Sequence, residues 1–381
     1  MTSLKKYKIN HSFILVALFA LCFGVEFWFP GDIFRLGKIR ALFLIIPFVL
    51  FLQIKNKLHW APALLFCSGL FHWTVSSRFL SDFPIVLQLP PSKTIMQWTI
   101  NNYILRGVEE LIIPFACMSF VIFLYNYPKQ FIAKIFVYFA AAQSIYGLFQ
   151  VFNIQLLYAV SEPWFQNTPL AFMGQHTVLG SFLAACLAPA LWFSMWAPAG
   201  LIAVCIAFTG SSMAYASTWV VLSLYVAYKF RIRHAVFMQI KLLVILTVLL
   251  LFRPNIEIFN FHERWDVWSM GIKAFLENPW FGGGAGYWPG YWQPRFFPTI
   301  GGHTPDNPHA EWLKLLIEYG IWGALIVTIA CVEFLRKFKL TWHHAACAAI
   351  LVNSLANFPL HIVPHAVLFL WCLGYSIGNQ K

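Results

Sequence analysis

Charge is what this chain has least of. Asp, Glu, Lys and Arg make up 10% of its 381 residues, where a soluble domain carries about 25%. A chain so poor in ionisable groups cannot cover a water-facing surface, and a soluble globular fold is excluded. Acidic residues are the scarcer, 14 against 26 Lys and Arg, for a net charge of +12. Such an excess can mark a nucleic-acid surface, but here the cations are scattered between apolar segments and form no single basic face. They read as topology determinants with a few functional arginines, and no nucleic-acid partner is expected. Cysteine pairing is missing too. Cys22, Cys67, Cys117, Cys186, Cys205, Cys331, Cys347 and Cys372 all sit in or beside apolar runs, with no Cys-x-x-Cys pair among them. No disulfide framework and no zinc knuckle is implied.

What is abundant is hydrocarbon: 60% of the residues are hydrophobic. A membrane helix needs roughly 20 apolar residues, and runs of that kind begin near His11, Ile39, His59, Tyr103, Gln130, Thr177, Ala199, Met213, Phe237, Trp312, Trp342 and Phe358. The expected fold is an all-α polytopic membrane protein with about twelve transmembrane helices. Lys5, Lys6 and Lys8 precede the first run. No small-residue cleavage site follows it, so it reads as a retained anchor. With the N-terminus cytoplasmic, fifteen Lys and Arg fall inside and nine outside, and Arg253, Arg264, Lys273 and Arg295 of those nine lie in one long loop. The division is 1–252 for the first nine membrane helices, 253–311 for a large outer loop containing short helices, and 312–381 for the last three.

That loop is rich in Trp, Phe, Gly and Pro and poor in Ser, Lys and Glu, the composition of a folded cap rather than a disordered linker. Asn260-Phe-His-Glu263 has the form of a capping box. The helix it opens carries Trp265, Trp268, Ile272 and Phe275 at helical spacing and ends at Asn278-Pro279, as an interfacial helix would. Arg264 near its start can hold a lipid phosphate bidentately or simply snorkel to the interface. The run Gly282 to Gly286 lacks the Gly-Lys-Ser/Thr end of a nucleotide-binding loop and reads as a close-packed turn.

Thr304-Pro-Asp-Asn-Pro-His-Ala-Glu311 carries more chemistry. Asp306 or Asn307 can cap a helix opening with Pro308, which would put His309 in the first turn. Unpaired amides and the positive dipole end there suit an anion and keep the imidazole neutral, able to accept a proton. A histidine merely seated at the interface would look the same. Gly320 and Gly323 on the same helix permit close packing of a neighbouring helix.

Together these residues resemble the O-antigen ligase and polymerase superfamily of bacterial membrane glycosyltransferases. Its ligases show His-Asn/Ser/Gln, nine residues, then Gly-x-x-Gly; here His309-Ala310 is followed by nine residues and Gly320-Ile-Trp-Gly323, with Ala310 departing from the polar residue. Arg264-Trp265, Asn278-Pro279 and the Gly282–Gly286 turn repeat the family's order upstream. A Ser-Arg pair common in relatives is absent: its counterpart is Thr209-Gly-Ser-Ser-Met-Ala214, so Arg253, Arg295 or helix amides would take over the arginine's part.

The resemblance implies an enzyme of the bacterial inner membrane whose site faces the periplasm. An undecaprenyl-diphosphate-linked glycan would be the donor, and lipid A-core, a growing glycan or a protein would supply the acceptor hydroxyl. His309 would act as general base and Arg264 would stabilise the leaving diphosphate, without metal or cofactor. Arg253, Arg295, Asn307, Gln175 and His176 are the substrate-binding candidates. Ligation, polymerisation and protein O-glycosylation are alternatives within the superfamily. A lipid-linked glycan transporter or flippase is the alternative from another class, though no internal repeat is visible and the polar residues collect in one loop. An assembly factor without catalysis is a third. Arg106, Glu109 and Glu110 read equally as a structural ion pair, and His361 and His365 stand at zinc-ligand spacing interrupted by Pro364.

Overall fold

The computed structural model describes residues 113–125, 127–154, 168–231, 261–284, 286–288 and 307–377, and of 261–263 the backbone alone. The spans expected near His11, Ile39, His59 and Phe237 and the start of the one near Tyr103 lie outside these residues, as do Arg106, Glu109, Glu110, Arg253, Arg295, His303, Asp306 and the Asn260–Glu263 side-chain pair.

Every regular element among the described residues is helical: α1 (Ile113–Leu124), α2 (Lys129–Val151), α3 (His176–Trp192), α4 (Trp196–Phe208), α5 (Ser212–Lys229), α6 (Phe261–Glu277), α7 (Glu311–Arg336), α8 (Trp342–Asn353) and α9 (Val363–Ile377). The apolar runs near Gln130, Thr177, Ala199, Met213, Trp312 and Trp342 each coincide with a helix, and the run near Phe358 enters α9 through a 3-10 turn, Pro359–His361. Only α2 and α7 are long and apolar enough among the described residues to cross a membrane unaided. With 13 and 12 residues, α4 and α8 fall short of the roughly 20 a full span needs. Gly210, at φ 64°, turns the chain after α4, and the polar Ser354–Asn357 connection cuts α8 short.

The bundle is built around α3, which packs against α2, α4, α5 and α8. Its residues Gly180, Ala184, Ala185 and Ala188 are small and buried, which lets neighbouring backbones close in where no hydrophobic force sorts helices in lipid. A Cβ on Gly180 would lie 2.6 Å from Ala214 Cβ of α5. The helices alternate in direction. Lys129 lies over the Tyr375 ring, Trp192 stacks on Tyr228, and Phe193 meets Trp342, so the start of α2, the ends of α3, α5 and α9, and the start of α8 share one end. The starts of α3, α5 and α7 and the end of α8 share the other. All of the functional candidates among the described residues lie at that second end.

One break shapes that end. Inside α7, Gly320 takes φ 64° and ψ −162°, a conformation essentially confined to glycine. The backbone groups freed by the break pair with the Asn278–Gly284 turn: Gly283 N–H donates to Ile317 O (2.9 Å), Gly284 N–H to Glu318 O (3.0 Å), and Ile321 N–H to Pro279 O (2.8 Å). The glycine run is thus the close-packed turn its sequence suggests. Gly320 differs from expectation: it meets the turn's backbone, not a neighbouring helix, because its missing Cβ would lie 2.4 Å from Trp280 O.

Candidate active site

The α6 helix reaches the site through one stripe. Val267, Gly271 and Ala274 pack on Leu313 and Ile317 of α7, and a Cβ on Gly271 would come within 2.7 Å of Leu313. Arg264 begins the same stripe, since 264, 267, 271 and 274 recur at helical spacing. The opposite side exposes Trp265, Ile272 and Leu276, an apolar face suited to an interface. The expected apolar stripe therefore splits: Trp268 and Phe275 turn half inward and Trp265 and Ile272 outward.

Arg264 is held from a distance in sequence. Its Nη1 donates to Ala356 O at 2.9 Å, in the connection between α8 and α9. His309 meets the same connection, with its ring 5.6 Å from that of Phe358. Burial and the Arg264 charge together pull the His309 imidazole down to about 4, so it is neutral at physiological pH. The neutral state matches expectation, but the cause differs. His309 is not in a helix's first turn: α7 starts at Glu311 with Ala310 at its N-cap, and no side chain caps it. The Glu311 N–H donates instead to Ser354 O at 3.1 Å, so a tertiary contact stands where a cap from Asp306 or Asn307 was expected. His309 itself sits at φ 51°, the left-handed region that histidine tolerates better than most residues.

Glu311 is the residue that sequence reasoning passed over. It is buried, accepts a hydrogen bond from Leu360 N–H at 2.7 Å, and lies 2.8 Å from His361 Nδ1. Trp312 Nε1 adds a bond to Leu355 O at 3.1 Å. The Ser354–His361 connection is thus gripped by Arg264, His309, Glu311 and Trp312 together. The only advance signal was an acidic residue two positions after the histidine in an apolar chain.

His176 opens α3 at the same end, and the Arg264 charge reaches it as well as His309. The chain arrives there through a turn tied to two buried glutamines of α2: Gln150 Oε1 accepts from Leu170 and Ala171 N–H, and Gln143 Oε1 from Phe172 N–H. Two buried amide oxygens, Gln175 Oε1 and Asn307 Oδ1, have no hydrogen-bond partner among the described residues. Arg264, His309, His176, Gln175 and Asn307 therefore come from three separate stretches to one end of the bundle. The Thr209–Ala214 stretch is a capped helix start, with Ser211 Oγ accepting from Ala214 N–H at 3.3 Å. His361 and His365 turn to different partners, Glu311 and Val178 O.

At one end of this charge-poor helical bundle a half-buried guanidinium and a half-buried imidazole meet the same connection. Residues 197–328 match the family model described as O-antigen ligase, a stretch that takes in α4 to α6, the glycine turn, His309 and the Gly320 break. Over these residues the chain carries an O-antigen ligase domain, the domain of a glycosyltransferase-type membrane enzyme. No curated protein matches the chain significantly.

Proposed function

We propose that the chain transfers a glycan from a lipid diphosphate, with undecaprenyl as the lipid, to an acceptor hydroxyl at the outer face of the bacterial inner membrane. The observation carrying this reading is the coupling of Arg264 to His309 against one wall, Ala356 to Phe358. The acceptor O–H gives its proton to the neutral imidazole as its oxygen bonds to the anomeric carbon. The bond from that carbon to the diphosphate oxygen breaks, and the guanidinium stabilises the charge gathering on the leaving group. An imidazole held near 4 is by itself a weak base. A diphosphate arriving beside Arg264 offsets the guanidinium's field and lifts His309 towards its ordinary value, so base strength rises when donor is bound.

The outer-face placement draws support from charge. The end opposite the site holds Lys129, Lys229, Arg231, Arg336 and Lys337, as cytoplasmic loops do. About twelve spans and the 253–311 outer loop belong to the same reading. A transporter would use a broken helix to bind its cargo with freed backbone groups. At Gly320 those groups are paired with the glycine turn, which favours the enzyme. Ligation to lipid A-core, polymerisation and transfer to protein all use this chemistry.

The deciding experiment is transfer from undecaprenyl-diphosphate-linked glycan in membranes holding the wild type or His309→Ala at equal abundance. Loss of transfer in the variant is expected; equal rates would remove the reading.

A further inference from the structure

Two glutamines of α2, Gln143 and Gln150, are 0% and 4% exposed and lie on one face of the helix. Polar side chains buried in a membrane helix are costly and mark function by default. Both serve one turn. Gln150 Oε1 accepts from two consecutive amides, Leu170 N–H at 3.0 Å and Ala171 N–H at 2.7 Å, and Gln143 Oε1 accepts from Phe172 N–H at 3.0 Å. Consecutive amides converge on one oxygen where a right-handed residue is followed by a left-handed one, a concave nest. Leu170 is right-handed and Ala171 stands at φ 45°. Alanine seldom takes that conformation, so the glutamine oxygen holds a turn that its own sequence does not favour. Tyr146 adds a stacked contact to Phe172, with ring centroids 4.7 Å apart.

What the turn carries is the start of α3. Gly174, at φ 74°, ends it, and Gln175 and His176 follow directly. Within α3's first turn, Val178 O accepts from His365 Nε2 of α9 at 3.1 Å. That bond ties α3 to the helix following the Ala356–Phe358 wall, where Arg264 and His309 meet. A displaced turn would therefore shift Gln175 and His176 relative to the site. We propose that Gln150 is a positioning residue for the donor: its carboxamide seats the nest and so sets Gln175 and His176 at the site end of the bundle. This role rests on the proposed function, with Gln175 and His176 as contacts of the lipid-linked glycan. A fastening between α2 and α3 that served stability alone would leave donor affinity untouched.

The test measures equilibrium binding of undecaprenyl-diphosphate-linked glycan, without acceptor, to the full chain in nanodiscs, counted per folded protein. Gln150→Leu removes the shared oxygen and should weaken binding by about tenfold, near 1.4 kcal/mol. In transfer, donor KM should rise by the same factor while kcat stays within about threefold and the acid limb set by His309 stays in place. Gln150→Glu keeps an acceptor for both amides, and a nest suits an anion, so its binding should lie within about twofold of wild type. Gly174→Ala strains the same turn from its other end and should weaken binding in the same direction, which covers a Gln150→Leu protein that fails to insert. A lower melting temperature with unchanged donor affinity in the leucine or Gly174→Ala variant would reduce Gln150 to a helix fastener and overturn the role. A Gln150→Glu protein that binds as poorly as Gln150→Leu would overturn it too. Wild type that binds no donor would instead remove the proposed function, and the role of Gln150 with it, so the wild-type curve tells the two failures apart.

Discussion

Arg264 and His309 lie 45 residues apart in sequence yet share one wall, the guanidinium bonded to Ala356 O and the imidazole against Phe358. Removing the guanidinium should do two things at once. Arg264→Gln should lower transfer by about a hundred- to a thousand-fold, the usual cost of one donor to a developing anion. It should also remove the second cause of the low His309 value and leave burial alone. The acid limb of kcat/KM, which reports the free enzyme, should then move up in pH yet stay below the ordinary imidazole range. A pH–rate profile of the residual activity measures this; a limb that stays put means that the two groups are not coupled. Lys273→Gln, on the exposed side of α6, should stay within about twofold.

His309 offers a way to separate chemistry from folding. Its left-handed φ costs on the order of 1 kcal/mol that glycine does not incur. His309→Gly should insert and melt at least as well as wild type, while His309→Ala keeps the strain. Both should lose turnover by about a hundred- to ten-thousand-fold, the worth of general-base assistance. The pH dependence of stability carries its own sign. The folded imidazole sits near 4 and an unfolded one near 6.5, so between those values the unfolded chain binds more protons and stability falls as pH falls. Thermal melts from pH 7 down to 4.5 should show wild type losing more than His309→Gly. Parallel curves would contradict the buried, neutral imidazole.

At Gly320 backbone geometry makes the prediction. Any side chain meets a glycine-only conformation, worth about 1–3 kcal/mol, and a carbonyl oxygen 2.4 Å from its Cβ. Gly320→Ala should displace the Asn278–Gly284 turn and make it accessible to protease. Gly200→Ala in α4 has nothing within 4 Å and should be neutral or gain up to about 1 kcal/mol. Limited proteolysis of the two variants side by side is the check.

The helices were readable because long apolar runs can only be helices in lipid. His309, Arg264 and the glycine turn were readable because their spacing is local and follows a family pattern. The wall they share was not. Its acceptors are main-chain carbonyls of Ser354, Leu355 and Ala356, which any residue could supply. The expected cap from Asp306 or Asn307 misled for a related reason. A capping signal presumes that the first helical amides lack partners, and Ser354 O had already taken the one on Glu311. Gly320 read as helix packing because sequence shows that a glycine is there but not which backbone approaches it.

Orientation is open to direct measurement. Lys273 lies on α6 at the site end and Lys337 just beyond α7 at the opposite end. With the native cysteines replaced, Lys273→Cys should react with an impermeant maleimide on intact spheroplasts, and Lys337→Cys only after lysis. The reverse pattern would turn the site towards the cytoplasm and remove the outer-face assignment.

Glu311 gives the last prediction, because it joins the histidine segment to the wall. One oxygen accepts the Leu360 N–H and the other faces His361. Glu311→Gln retains an acceptor for the amide, and its NH2 can donate to a neutral His361. The fold should survive, with a cost of about 1–2 kcal/mol or less. Glu311→Ala strands both groups in a buried place, at about 1–3 kcal/mol for each. If Glu311 positions His309 without touching substrate, the glutamine variant should keep most of its kcat and the shape of its pH profile. The alanine variant should lose kcat several-fold through a displaced Phe358 wall, with little change in donor KM. His361→Ala should resemble the milder of the two, since Leu360 still anchors the carboxylate. A glutamine variant as inactive as His309→Ala would mean instead that the carboxylate itself takes part in the proton transfer.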